Sequence, residues 1–130
     1  MQVLQAVNPR DRMLVVGDFK SDPRDIEQIP GLIPPYQIFD DEYSDEWTMR
    51  PGAASGKDAP LVGYSCCQWE DLSDRNSGLY ERIDLIFSLD QPKEVKHVRL
   101  LGESVADKTW PPGRGLWPSD HGSVAARMQD

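Results

Sequence analysis

The chain has 130 residues, 38% of them hydrophobic, which suffices for one modest core and gives no reason to expect a second domain. Fourteen basic against 22 acidic residues leave a net charge of −8, so the overall field repels polyanions and nucleic acid binding cannot be argued from charge. No run approaches the ~20 apolar residues of a membrane-spanning helix, and Met1–Gln5 lacks the charged-then-apolar pattern of a secretion leader, so a soluble, cytoplasmic chain is expected.

In chain order, Leu4–Val7 reads as the tail of a helix broken at Asn8-Pro9. Met13–Val16, a continuous apolar run closed by Gly17, has the pattern of a central strand buried on both faces. Beyond Phe19 the residues Ser21-Asp22-Pro23, Pro30, Gly31, Pro34 and Pro35 predict a loop, with one helical turn over Arg24–Gln28. A short helix entered at Pro35 is expected over Tyr36–Asp41, with Tyr36, Ile38 and Phe39 packing inward. Asp40–Glu46 reads as a solvated acidic surface, since it lacks the spacing and central glycine of an EF-hand, and Met49–Pro60 reads as a surface loop.

Further along, a strand is expected over Val62–Gln68 and a turn over Ser73–Gly78. Tyr80–Ser88 and Val95–Leu101 both favour strands, and the break at Asp90-Gln91-Pro92 predicts that they pair as neighbours. Ala106–Pro118 is expected to be loop, with Gly122–Met128 returning as a final strand. Trp69, Trp110 and Trp117 could stack on a ligand, although anchoring in the core or a loop is the commoner use of tryptophan. Gly113-Arg114-Gly115, with no helix after it, reads as a turn. The adjacent Cys66 and Cys67 have no second pair at metal-ligand spacing and read as packing residues, because an ordinary disulfide between them strains the intervening peptide.

Three short words stand at predicted strand rims, where a sheet delivers side chains to a shared site: Gly17-Asp18-Phe19, Arg82-Ile83-Asp84 and Ser119-Asp120-His121. Carboxylates and an imidazole suit phosphoester hydrolysis, in which a water must be oriented and phosphate charge neutralised. Each word also has a plainer use. Asp18 can cap its own turn through an Asx-type hydrogen bond, Asp84 can pair with Arg82 or Arg99, and Ser119-Asp120 can be an ordinary turn. Asp84, set in an apolar strand, needs a partner in either case, and His121 would serve.

In this order the words resemble the C-terminal half of the endonuclease/exonuclease/phosphatase family, the metal-dependent DNase-I-like phosphoesterases. Gly17-Asp18-Phe19 resembles the Gly-Asp-Phe-Asn box, Arg82–Ile86 the Arg-Ile-Asp strand, and Trp117–His121 the closing Ser-Asp-His box; Tyr64–Gln68 also looks like a segment of bacterial members. The likeness spans residues 10–128, so residues 1–130 read as a single domain equivalent to the C-terminal part of that fold. It implies an α/β (α+β) fold, mainly antiparallel or mixed β-sheet with few short helices, forming half of a two-sheet sandwich.

The resemblance further implies catalytic roles for Asp18 (orienting water), Asp84 (supporting the histidine) and His121 (contacting phosphate), with Asp120 as ligand to Mg²⁺ or Mn²⁺. Lys20 stands where the family box has asparagine; it can reach a phosphate as a point charge, or pair with Asp18 or Asp120 in place of the metal. The implied substrate is a phosphate ester, with nucleic acid among the candidates. The family's first half, with its metal-binding asparagine and glutamate, is not present before Gly17. A complementary N-terminal half, or self-association through the exposed sheet, is therefore expected, and a noncatalytic protein-interaction module is the alternative.

Overall fold

A computed structural model describes residues 13–53, 63–90, 92–109, 111 and 115–129. In one antiparallel sheet, β3 (Asp84–Ser88) lies between β1 (Leu14–Asp18) and the two-residue β2 (Ser44–Asp45). A second sheet is the antiparallel ribbon of β4 (Glu94–Leu101) and β5 (Ser123–Gln129). Among the described residues the helical pieces are α1 (Pro35–Asp40) and a 3-10 turn at Val105–Asp107. The fold is thus mostly antiparallel β with little helix, and no helix among the described residues is long and apolar enough to cross a membrane.

Each sheet has its own apolar cluster. Tyr36 and Phe39 of α1 pack with Tyr43, Leu85 and Phe87, joined by Met13, Val15 and Phe19. Phe19 meets the rings of Phe39 and Phe87 edge-on at 4.9 and 5.3 Å, which seats the residue after Asp18 firmly in the core. In the other sheet Val95 and Val98 pack on Trp47 with Leu100, Val124, Ala126 and Met128. Two valines three apart share a face because the register of β4 against β5 shifts between Val95 and His97, and such a bulge resets the alternation of side chains.

Several sequence-based expectations are corrected here. Among the described residues Met13–Val16 does not form a doubly buried central strand: β1 pairs with β3 alone and lies at the edge of the sheet, with Val15 turned to the core while Leu14 and Val16 are 51% and 64% exposed. Tyr80–Ser88 and Val95–Leu101 do not pair as neighbours, because both edges of β3 are taken by β1 and β2 and β4 pairs with β5. No helical turn forms over Arg24–Gln28; the chain instead turns at Pro23-Arg24, held by the Asp25 amide on the Asp22 carbonyl at 2.9 Å. Ile38 faces outward, unlike Tyr36 and Phe39. Gly63–Gln68 is irregular backbone with single bridges at Cys66, not a strand. Leu4–Val7, Asn8-Pro9, residues 54–62, Trp110, Gly113 and Arg114 lie outside the described residues.

Asp40–Glu46 is not wholly solvated either, since Asp45 and Glu46 are 2% and 0% exposed. Asp45 meets Arg82, itself buried, through Nη1 at 3.2 Å and Nη2 at 2.6 Å, and also accepts from the Tyr36 hydroxyl and the Trp47 amide. Glu46 has one support, the Ser88 hydroxyl at 2.5 Å, and its other oxygen has no hydrogen-bond partner. Burial pushes its carboxyl above the usual 4.5, opposed by the Ser88 hydrogen bond and aided by the charge of Asp45. The folded protein therefore holds a proton more tightly than the unfolded chain. Glu46 favours folding below its unfolded pKa and loses that contribution as pH rises through the elevated folded value. Glu46→Gln is expected to be more stable than the native protein at pH 7, by about 1 kcal/mol or more, with the difference shrinking as pH falls from 7 toward 4.5. Urea titrations of both proteins across that range measure it, and a difference independent of pH refutes the account.

Candidate active site

The register of the first sheet sets Asp18 directly opposite Asp84, at the same end of β1 and β3. Gly17, one residue earlier, has φ of +152°, a conformation that L side chains rarely adopt, so this rim is shaped around a glycine. His121 arrives from the other direction, immediately before β5. Its Nδ1 lies 2.7 Å from Asp84 Oδ2; because the carboxylate can only accept, the ring donates through Nδ1–H, and Nε2 is the nitrogen left facing away from Asp84. Asp84 therefore has His121 for its partner. The alternative pairing with Arg82 is not made, since that guanidinium is held by Asp45. Asp84, Ser119, His121, Gly17 and Val16 line one open cleft of about 380 Å³.

The segment Tyr64–Gln68 joins the parts of this site. Ser65 Oγ accepts from the amides of Ile83 at 3.2 Å and Asp84 at 2.9 Å, which fixes the backbone that carries the carboxylate. The Ser65 carbonyl accepts from the Gly122 amide, and the Gln68 amide donates to the Asp120 carbonyl, both at 2.8 Å. Cys66 bridges to Glu81 on one side and to His121 on the other. Sequence reasoning noticed the segment but not these roles. Ser65 carries no periodic signal, and its importance comes from contacts 18 and 19 residues away.

Asp18 is held by its neighbour. The Lys20 amide donates to Asp18 Oδ1 at 2.9 Å, the Asx-type cap, while the Lys20 ammonium sits 2.6 Å from Oδ2. Burial alone would push the Asp18 carboxyl up, but the Lys20 hydrogen bonds and charge, with His121 adding to them, hold it below the usual range. The ammonium is raised above its usual value by the Asp18 hydrogen bond, against desolvation, and by the charges of Asp18, Asp84 and Asp120. Lys20 is thus a cation set among three carboxylates. Its backbone has φ of 51°, the left-handed region that asparagine tolerates better than lysine, so a lysine at this position carries a conformational cost as well as a charge.

Asp120 is exposed, with Oδ1 accepting from the Ser119 hydroxyl at 3.2 Å, and the His121 amide caps back onto the same hydroxyl at 3.1 Å. The ordinary turn expected at Ser119-Asp120 is therefore present, with the Asp120 carboxylate open to solvent. An exposed hard oxygen fits Mg²⁺, which commonly keeps several waters and takes one or two carboxylates plus substrate phosphate. A closed cage is not formed: among the described residues the one set of three metal-capable side chains with ligand atoms mutually within 4.8 Å is Cys66, Cys67 and His121. Their sulfurs are in disulfide contact, so the reading of Cys66 and Cys67 as packing residues is incomplete, although Cys66 is 1% exposed.

The tryptophans divide. Trp117 is buried and donates to the Asp74 carbonyl at 2.8 Å, where Lys108 Nζ also lands at 2.7 Å, so it anchors the loop leading to Asp120 and His121. Trp69 is exposed beside Asp120 in a separate cleft. Comparison with protein-family models, with curated proteins and with solved structures finds no match for this chain.

Proposed function

We propose that the chain carries the phosphate-contacting rim of a metal-dependent phosphoester hydrolase and is incomplete without a second, complementary half. The observation that supports this reading is the 2.7 Å pairing of Asp84 with His121, remote in sequence and lining one cleft, with Asp18 opposite Asp84 in register but outside that cleft's lining, and Asp120 on the neighbouring cleft. His121 Nε2 contacts a phosphoryl oxygen, and Asp84 fixes the ring for that contact. Asp18 orients the attacking water, and Lys20 offsets charge on the ester. Asp120 would hold Mg²⁺ or Mn²⁺, which when bound neutralises a nonbridging oxygen. The exposed apolar side chains of Leu14 and Val16 are where the complementary half, or a second copy, would be seated.

A second reading has one observation of its own. The Asp18–Lys20 pair already neutralises the carboxylate that the reaction needs free, which favours a protein-interaction module without catalysis. Two measurements separate the readings: hydrolysis of a generic phosphodiester with and without Mg²⁺, and the nuclear magnetic resonance shift of the His121 ring on adding inorganic phosphate with Mg²⁺. The hydrolase reading expects a ring shift that Asp120→Ala weakens about tenfold, and any hydrolysis to be lost in His121→Ala. No ring shift and no hydrolysis in the native chain and in Lys20→Asn alike overturns it in favour of the interaction module.

A further inference from the structure

Beside the rim lies a grouping that shares only His121 with the proposed hydrolysis. Ligand atoms of Cys66, Cys67 and His121 all lie within 4.8 Å of one another. Backbone bonding holds them there: Cys66 bridges to His121, and the flanking Ser65 and Gln68 bond to Gly122 and Asp120. Asp84 takes the Nδ1–H of His121, leaving Nε2 as a donor, the carboxylate–histidine arrangement that orients imidazoles toward metal ions. Two thiolates and an imidazole are a soft donor set, matched to zinc-class cations and not to Mg²⁺. Cys67 opens onto a cleft of about 770 Å³ shared with Trp69 and Asp120, which gives an ion a route in and room for water as a fourth ligand.

We infer that the reduced form of the protein binds a thiophilic divalent cation of the zinc class through Cys66, Cys67 and His121. A dithiol reductant supplies the two electrons and two protons that convert the joined sulfurs to thiols as its own thiols become a disulfide. On metal binding both thiols release their protons to solvent as two sulfur–metal bonds form. The oxidised pair offers no thiolate, so redox state gates the site. Metal on Nε2 occupies the nitrogen that phosphate would meet, and the two uses of His121 exclude each other.

The test is a titration of Co²⁺ into protein reduced with a phosphine, which takes up a water oxygen as it is oxidised and does not compete as a thiol ligand. One equivalent is expected to bind with thiolate-to-cobalt charge-transfer absorbance, to be displaced by Zn²⁺, and to fail in the oxidised protein. Cys67→Ser and His121→Gln are each expected to weaken binding at least about tenfold, and Asp84→Asn about 10–100-fold. Absence of binding by the reduced protein, equal binding by the oxidised protein, or unchanged absorbance in His121→Gln or in the Cys66→Ser, Cys67→Ser double variant overturns the site. The comparison of reduced with oxidised native protein needs no substitution. It contains no phosphoester, so its outcome is independent of the hydrolase reading.

Discussion

Asp45→Ala is expected to destabilise the protein by about 3–5 kcal/mol, a large share of the ~5–15 kcal/mol typical of a small domain. Asp45 is the buried acceptor for both terminal nitrogens of Arg82, for the Tyr36 hydroxyl and for the Trp47 amide. Removing it strands a guanidinium that is 2% exposed and whose Nε already lacks a partner. Breaking such a pair from one side is much costlier than the pair itself is stabilising, because the remaining charge stays buried. The loss falls on α1, β2 and the approach to β3 together, since those are the pieces Asp45 ties. Asp45→Asn, which keeps an acceptor for Tyr36 and Trp47 but not the charge, should fall between. Urea unfolding measures both, and a loss under about 1 kcal/mol for the alanine variant would mean that water reaches Arg82.

Asp84→Asn has the largest expected effect on chemistry. In the hydrolase reading, Mg²⁺-dependent turnover of a phosphodiester by the completed assembly falls about 10²–10⁴-fold while the fold is kept. Asparagine can turn either its oxygen or its NH₂ toward the ring, so Nδ1–H is no longer enforced and Nε2 is no longer reliably the free nitrogen. The Ser65 hydroxyl still accepts from the Asp84 and Ile83 amides, because those donors are backbone, so the strand keeps its place. Nitrogen-15 spectra of the His121 ring report the tautomer directly. A ring that stays protonated on Nδ1, with activity lost all the same, would reassign Asp84 from positioning the imidazole to some other task.

The Asp84–His121 pair was legible because a carboxylate in the apolar run Leu85–Phe87 creates a demand that few side chains in this chain can meet. The strands themselves were legible for the same kind of reason, through alternation and turn residues. Their partners were not. Asp90 and Pro92 mark a break but carry no information on which edge of β3 is open, and β1 and β2 fill both from 40 or more residues away. Hydropathy misled at Met13–Val16 because it reports what a strand can bury, not whether anything covers it. Charge misled at Asp45 because its countercharge lies 37 residues downstream. Lys20 was weighed as a cation that could replace the metal, and the structure does place its ammonium on Asp18.

Asp84 belongs to one sheet and His121 leads into the other, with Ser65 and Cys66 as the seam between them. The site is consequently a gauge of how the two halves of the molecule are set. A ligand wedged along that seam would disable the imidazole while leaving both sheets folded, and inhibition would then need no contact with the reacting group.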